Sequence, residues 1–179
     1  MALAAWAAGG WAVRTGWAAT GVVAGEYEIK AAMLLNLAKF VEWPAWKMGD
    51  PRAPFAIGIW GPAGAAVEME KVLRDKNVEG KPVVVRHLNS LAGVEECHVL
   101  FVLREQDTGF TGEETAALAK AAVLTAGETG RFADEGGVIG LVVKDSRVQM
   151  EVNLKAAQRS GLAISSRVLR LAKIVPGGQ

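Results

Sequence analysis

The chain has 179 residues, of which 51% are hydrophobic, and its 20 Lys and Arg nearly balance its 19 Asp and Glu. This length suits one domain, and the net charge of +1 excludes a bulk electrostatic attraction to nucleic acid or to an anionic membrane surface. No residue pattern repeats at a fixed period, and after residue 25 no apolar run approaches the roughly 18 residues that a membrane helix needs.

The first 25 residues differ in composition from the rest of the chain. They consist mostly of Ala, Gly, Trp and Val, contain no Asp or Glu, and end in small residues before the polar sequence EYEIK. This composition is typical of a secretory signal peptide cleaved near Ala24 or Gly25, although the only cation, Arg14, interrupts the apolar segment. A disordered Gly-rich extension is the alternative interpretation. We therefore expect a leader over residues 1–25 and a domain over residues 26–176.

The segment at 26–43 has the pattern of a helix, and Pro44 ends it because proline cannot donate the backbone hydrogen bond of a helix. This helix is apolar on nearly every side, since Leu35 lies on the same face as the charged residues. Such a helix either packs deeply within the domain or is partly covered by a partner. A homodimer is one arrangement that would cover it.

Beyond Trp46 the pattern alternates between strands and helices. The predicted elements, in chain order, are a strand at 54–60, a helix at 65–75, strands at 81–88 and 97–103, a helix at 112–121 and a short strand in AVLTAGE. The strands are continuous apolar runs rich in β-branched residues. Such runs indicate burial on both faces, as in a parallel sheet that helices cover.

The C-terminal third changes character. The segment at 136–154 predicts two strands joined at 144–147 as a hairpin, and the polar residues that alternate with Val148, Met150 and Val152 predict a half-exposed second strand. Two short helices, NLKAAQRSG and SSRVLRLAKIV, are predicted to follow. The whole pattern predicts an α/β fold, a three-layer α/β/α sandwich whose mostly parallel sheet carries an antiparallel hairpin at one edge.

Three glycines lie between a predicted strand and a predicted helix, where nucleotide-binding folds bind phosphate. The spacing of Gly58, Gly61 and Gly64 is neither G-x-G-x-x-G nor that of a P-loop, and Pro62 has no N–H to offer an anion. We therefore favour a tight turn over a nucleotide site. Ligands of open α/β sheets nevertheless bind outside the carboxyl ends of strands. A small-ligand site of this domain would be lined by Trp60, Arg104, Asp107 and Glu128.

The chain offers little for catalysis or metal binding. Its two histidines, His87 and His98, lie in predicted strands, and strand alternation does not reliably place a Ser, Asp or Cys beside either. The pair Cys97–His98 lacks the paired spacing of a zinc site, and a single cysteine cannot form an intrachain disulfide. We therefore predict a buried structural role for Cys97, no catalytic residue, no metal, no cofactor and no enzymatic activity.

Two features predict a contact with another protein. The first is the aromatic segment at 40–46 with the helix before it, because Trp is enriched in binding hot spots; its candidate residues are Leu35, Phe40, Trp43 and Trp46. The second is the C-terminal segment, where every charge after Glu151 is positive; its candidate residues are Arg167, Arg170 and Lys173. Core packing and a solvated basic face are the respective alternatives.

Seven segments resemble, in order and spacing, the YfiR family of small exported bacterial proteins. They run from Tyr27 to Val175 and read YEIKAAMLLNLAKFVEWP, PFAIGIWG, GKPVVVRHL, CHVLFV, VLTAGE, FADEGGVIGLV and VQMEVNLKAAQRSGLAISSRVLRLAKIV. The most specific pieces are NLAKFVEWP and the closing segment from Asn153 to Leu171. Two departures concern Cys97, which cannot form the disulfides of some relatives, and Gly140, which stands where relatives commonly have Asn.

The resemblance implies an α/β/α regulator located in the periplasm. Such a protein represses an inner-membrane diguanylate cyclase by contacting its periplasmic sensor region, and an outer-membrane lipoprotein sequesters the repressor in turn. It is no enzyme, and it acts on cyclic di-GMP output only through protein contact. From the residues and the resemblance together we predict an exported repressor of a diguanylate cyclase or another membrane sensor, with a periplasmic small-ligand sensor as the alternative function.

Overall fold

The computed structural model describes residues 18–103, 106 and 109–177, and the side chains of these residues from Gly25 onward. The elements in chain order are α1 (Ala18–Lys39), β1 (Val41–Glu42), α2 (Ala45–Met48), β2 (Phe55–Trp60), α3 (Ala63–Leu73), β3 (Asn77–Val78), β4 (Lys81–Leu88), a 3-10 turn (Val94–Glu96), β5 (Val99–Val102), α4 (Gly112–Lys120), β6 (Leu124–Gly127), β7 (Ile139–Lys144), β8 (Arg147–Asn153), α5 (Leu154–Arg159), β9 (Ala163–Ile164), α6 (Ser166–Leu169) and β10 (Lys173–Val175). The predicted leader at 1–25 lies mostly outside the described residues.

Eight strands form one sheet in the order β10-β8-β7-β6-β5-β2-β4-β3. The five strands from β7 to β4 are mutually parallel, whereas β8 runs antiparallel to β7 and β3 runs antiparallel to β4. Strand β10 lies outside β8 and parallel to it. This arrangement confirms the predicted α/β sandwich with a mostly parallel sheet and an antiparallel hairpin towards one edge.

The sheet is buried on both faces in its centre, which explains why its strands do not alternate in hydrophobicity. Phe101 belongs to the larger core, which contains α1 and α3, while its neighbours Leu100 and Val102 belong to a smaller core with Leu118 of α4. Adjacent residues of a strand point to opposite faces of a sheet. The helices therefore form the two outer layers, α1 and α3 on one face and α4 on the other.

The first helix ends before the predicted boundary at residue 43. Helix α1 ends at Lys39, because Val41 and Glu42 leave the helical conformation to pair antiparallel with Ile164 and Ala163 of β9. Pro44, which was expected to end the helix, instead precedes the short helix α2. A tertiary strand pairing has overridden the helical pattern of the local sequence.

The prediction of a basic C-terminal helix is wrong for most of the segment. Helix α6 has only four residues, with Ser165 as the N-cap that accepts a hydrogen bond from the Arg167 N–H. The following residues from Lys173 to Val175 form β10, whose β-branched Ile174 and Val175 suit a strand at the sheet edge. Arg167 therefore lies on the one-turn helix, whereas Lys173 lies on a strand.

Strand β8 is more deeply buried than its alternating pattern predicts. Gln149 is exposed as expected, but Glu151 and Asn153 are buried. Asn153 accepts a hydrogen bond from Ala156 N–H as the N-cap of α5 and donates one to the Ala133 carbonyl, 2.7 Å away. Partners outside the strand satisfy the Asn153 side chain, whereas Glu151 is paired through Oε1 alone, with Lys144 and Lys173.

Helix α4 begins with a capping box in which Thr111 is the N-cap residue. The Glu114 N–H donates to Thr111 Oγ1 at 3.2 Å, and the Thr111 N–H donates to Glu114 Oε2 at 2.8 Å. We expect Thr111→Ala to lower the free energy of unfolding by about 1 kcal/mol, measured by urea denaturation, because one helix N–H loses its acceptor. Thr111→Ser keeps the acceptor and should stay near the wild type; equal losses for both variants would contradict the cap.

Candidate functional site

A groove of about 760 Å³ lies between the end of α1, strand β8 and the segment around α6. Its α1 side presents Met33, Asn36, Leu37 and, just after the helix, Phe40, at the spacing that places residues on one helix face. The remaining lining residues are Val148, Gln149, Met150, Arg167, Val168, Leu171 and Lys173. The groove is thus largely apolar with two cationic residues.

The small ladder between β1 and β9 builds this groove. Val41 pairs with Ile164, and the Ser165 N–H donates to the Phe40 carbonyl at 2.9 Å. These bonds fix the end of α1 beside the start of α6. As a result, Phe40 and Arg167, which come from the two separately predicted contact regions, line the same groove.

Two apolar side chains of the groove are open to solvent. Leu171 is 82% exposed and Phe40 is 39% exposed, although a soluble surface rarely gathers large apolar side chains without a function. They lie beside Arg167 and Lys173, which are also exposed. The groove therefore offers an accessible surface that combines apolar and cationic groups.

Some charged side chains around the groove form ion pairs and others do not. Lys173 Nζ lies 3.1 Å from Glu151 Oε1, and Lys144 Nζ lies 3.3 Å from the same atom. The guanidinium of Arg167 has no ion pair or hydrogen bond with the part of the chain that the structure describes. No carboxylate is among the described lining residues. The groove consequently carries a net positive charge.

Gly140 lies directly opposite Glu151 in the ladder between β7 and β8. A Cβ at position 140 would be 3.4 Å from Glu151 Cβ and 3.7 Å from its Oε2, and Oε2 makes no hydrogen bond within the described residues. Gly140 thus lies beside a buried carboxylate oxygen.

The other predicted contact residues lie outside the groove. Trp46 is 64% exposed on α2, which is tied to the rest of the domain by a 2.7 Å hydrogen bond from Lys47 Nζ to the Glu95 carbonyl. Leu35 is buried in the larger core. Trp43 is half-buried and packs edge-on against Phe55, with ring centroids 5.3 Å apart. Of the four residues of the aromatic region, Phe40 and Trp46 are the exposed ones.

The predicted small-ligand site at the carboxyl ends of the strands is only partly described. Trp60 ends β2 and packs against the smaller core, on the face that α4 covers. Glu128 follows β6, two strands away, and contacts α1, which packs on the opposite face. Arg104 and Asp107 lie outside the described residues. Trp60 and Glu128 therefore lie towards opposite faces of the sheet, and a ligand site that includes all four residues stays a prediction.

A buried ion pair accounts for Glu128. Lys30 of α1 is fully buried, and its Nζ donates to Glu128 Oε1 at 2.6 Å and also contacts Glu26. The Tyr27 ring centroid lies 5.7 Å from the same Nζ. Sequence reasoning missed Lys30; the available signal was a lysine within an apolar helical stretch, four residues after an acid.

Of the three glycines, only Gly61 lies in the turn between β2 and α3, because Gly58 is within β2 and Gly64 is within α3. A Cβ at Gly61 would lie 2.4 Å from a Leu103 side-chain atom, which is shorter than a real Cβ contact. The strand-to-helix turn therefore requires glycine at position 61 for packing against Leu103, in keeping with a tight turn.

The two histidines and the cysteine make structural contacts. His98 Nδ1 accepts a hydrogen bond from Ala56 N–H at 3.2 Å, and its ring stacks on Phe55 at 4.4 Å; burial, with the Lys47 charge second, lowers the pKa of His98 to about 4. His87 Nε2 lies 2.7 Å from the Gly61 carbonyl oxygen. Burial raises the pKa of the Cys97 thiol. Within the described residues no cluster of three or more His, Cys, Asp or Glu could hold a metal ion.

Comparisons with known proteins extend these observations. A family model described as YfiR/HmsC-like matches residues 27–173. Among solved structures, the chain is similar to a conserved domain protein from Vibrio cholerae O1 biovar El Tor, at 15% identity and a TM-score of 0.52. The match covers 83% of this chain but only 59% of that chain, and at this identity it concerns the fold alone. No curated protein sequence matches. No helix in the described ranges has the length and hydropathy of a membrane span.

Proposed function

Because the chain belongs to the YfiR/HmsC-like family, we propose that it is an exported repressor of a membrane-bound diguanylate cyclase. The family is one of periplasmic, non-catalytic regulators of cyclic di-GMP signalling. The repression, its target and the contact surface belong to the proposal. The repressor acts by binding one state of the cyclase more tightly than another, since only differential affinity shifts an equilibrium.

The observation that carries the proposal is the exposed groove that contains Phe40 and Arg167. Phe40 supplies a large apolar side chain and Arg167 a cation without a partner in the described structure, and both residue types are favoured in the centres of protein interfaces. The periplasmic sensor region of the cyclase would bind over this groove. Trp46, which lies elsewhere on the surface, is the contact available to a second partner such as the outer-membrane lipoprotein.

We expect Phe40→Ala to weaken binding to the periplasmic region of the target cyclase by about 30-fold or more, because truncating a hot-spot residue costs about 2 kcal/mol or more. Biolayer interferometry with the purified sensor region measures this change. The matched control is Val67→Ala on α3, since Val67 is 52% exposed and is not among the residues that line the groove. Unchanged affinity of a folded Phe40→Ala variant would show that the groove is not the contact.

Cellular cyclic di-GMP tests the repression itself. The native host is compared with a deletion strain that is complemented by versions of the gene with and without residues 1–25. A rise in cyclic di-GMP on deletion, reversed only by the version with residues 1–25, is the expected result for an exported repressor. No change on deletion would contradict the repressor function.

A further inference from the structure

We propose that the groove between α1, β8 and α6 is also a binding site for an anionic amphiphile. The ligand class is a carboxylate or phosphate head group on a single alkyl or acyl chain, as in a fatty acid or a lysophospholipid. Neither the family nor the partner contact proposed above assigns such a ligand. The inference rests on three features of the groove: its volume, its apolar lining and its unpaired cation.

The size and lining of the groove suit an alkyl chain. Its volume of about 760 Å³ falls within the roughly 300–1,000 Å³ that is typical of small-molecule sites. Met33, Leu37 and Met150 line it, and methionine side chains adapt to flexible apolar ligands because they have three rotatable bonds. Leu171, at 82% exposure, would lose its contact with water when an alkyl chain packs against it.

Arg167 is the residue that would bind the head group. Its guanidinium has no partner among the described residues, and it presents a planar set of donors that matches a carboxylate or a phosphate with two parallel hydrogen bonds. The second lining cation, Lys173, is already paired with Glu151. Because the described lining holds no carboxylate, a cationic head group would find no counterion there. The charge of the groove therefore selects an anionic ligand.

An amphiphile fits this lining better than an extended peptide does. A peptide brings backbone N–H and C=O groups, and each of these costs free energy when it is buried without a hydrogen-bond partner. Among the described lining residues only Asn36 and Gln149 carry uncharged polar side chains. An alkyl chain needs no such partners, so only its head group has to be satisfied.

Ligand binding would have a consequence for the proposed repression. An amphiphile in the groove covers Phe40 and Arg167, so it would compete with the cyclase for the same surface. This competition rests on the proposed function, whereas the binding itself does not.

The test is isothermal titration calorimetry of the full chain with decanoate, decyl phosphate, decylammonium and decyl maltoside, each below its micelle concentration. We expect saturable one-to-one binding of decanoate or decyl phosphate, and the tighter of the two distinguishes a fatty-acid head group from a phospholipid one. Arg167→Gln should weaken this binding by about tenfold or more, because a hydrogen bond between charged groups is lost. The same substitution should change the binding of decyl maltoside by less than about twofold.

Matched variants distinguish a loss of binding at the groove from a general effect of changing a surface residue. Leu171→Glu should abolish decanoate binding, whereas Val67→Glu, at another exposed apolar position, should not. Arg131→Gln is the control for Arg167→Gln, because Arg131 is 81% exposed and lies outside the groove. The proposal is overturned if decanoate and decyl phosphate do not saturate, if decylammonium binds as tightly, or if Arg167→Gln behaves like Arg131→Gln.

A different outcome would assign the groove to another occupant. Saturable binding of an acidic helical peptide, without binding of either anionic amphiphile, would make the groove a protein contact and overturn the ligand class. Failure of repression in cells together with normal decanoate binding would refute the proposed function and leave the ligand site intact. The two proposals therefore fail by different results.

Discussion

Replacing Lys30 by methionine is expected to lower the free energy of unfolding by about 3–5 kcal/mol. Lys30 is fully buried, and Glu128, whose Oε1 lies 2.6 Å from Lys30 Nζ, is only 3% exposed. Removing the cation takes the Lys30 charge away from this buried carboxylate. The loss of one partner of a buried ion pair costs more than the loss of a surface ion pair.

Urea denaturation at pH 7, followed by tryptophan fluorescence, measures this change. The matched control is Lys71→Met, because Lys71 Nζ lies 2.7 Å from Glu68 in an exposed pair that contributes about 1 kcal/mol or less. The double variant Lys30→Met/Glu128→Leu should recover much of the stability, since it removes both charges. If Lys30→Met costs no more than Lys71→Met, the buried pair does not hold α1 to the sheet.

The ion pair between Lys30 and Glu128 also affects the groove, although neither residue is in its lining. Lys30 and Met33 are on the same helix, and α1 forms one wall of the groove down to Phe40. The contact with Glu128 fixes α1 at the end of β6, while the pairing of β1 with β9 fixes its other end. Loss of the buried pair should therefore weaken binding at the groove as well as stability.

The centre of the fold was predictable because it depends on local pattern. Strand β4 occupies the predicted range at 81–88, and β2 begins one residue after the predicted start. These strands are predictable because a continuous run of β-branched residues indicates a strand that is buried on both faces. The turn at Asp145 and Ser146 was predicted from its polar residues, and both adopt positive φ there, at 49° and 58°.

The edges of the fold depend on contacts between distant residues, and sequence periodicity does not contain them. Strands β1 and β9 have two residues each, too few to show a period, yet their pairing ends α1 at Lys39. The segment from Lys173 to Val175 was predicted as the end of a helix, but it pairs with β8 beside it and is a strand. These are the errors expected where tertiary structure overrides local propensity.

The candidate site was half predictable for the same reason. Phe40 was selected as part of an aromatic segment and Arg167 and Lys173 as cations, and the structure places all three around one groove. Their convergence depends on the β1–β9 ladder, which the sequence does not reveal. Glu128 was selected as a ligand residue because it follows a strand, but its partner Lys30 is 98 residues away in the chain.

Lowering the pH from 7 to 4 is expected to reduce the free energy of unfolding by about 3 kcal/mol through His98 alone. The pKa of His98 is lowered to about 4 in the folded protein, first by burial and then by the Lys47 charge, from the ordinary value of 6.5. As the pH falls through 6.5 the unfolded chain binds a proton that the folded chain does not accept until about pH 4. The stabilisation is therefore complete well above pH 6.5, decreases as the pH falls from 6.5 through 4, and levels off below the folded pKa.

Comparison with His98→Asn isolates this effect from the titration of carboxylates. The asparagine side-chain oxygen can accept the hydrogen bond that Ala56 N–H donates to His98 Nδ1 at 3.2 Å, so the start of β5 keeps its contact with β2 without a group that titrates. Urea denaturation at half-unit pH steps should give a smaller decrease for the variant than for the wild type, by up to about 3 kcal/mol between pH 7 and pH 4. Parallel curves would mean that the His98 ring is protonated in the folded state at the same pH as in the unfolded chain. In that case the imidazole must reach solvent, and the packing of His98 against Phe55 could not persist at acid pH.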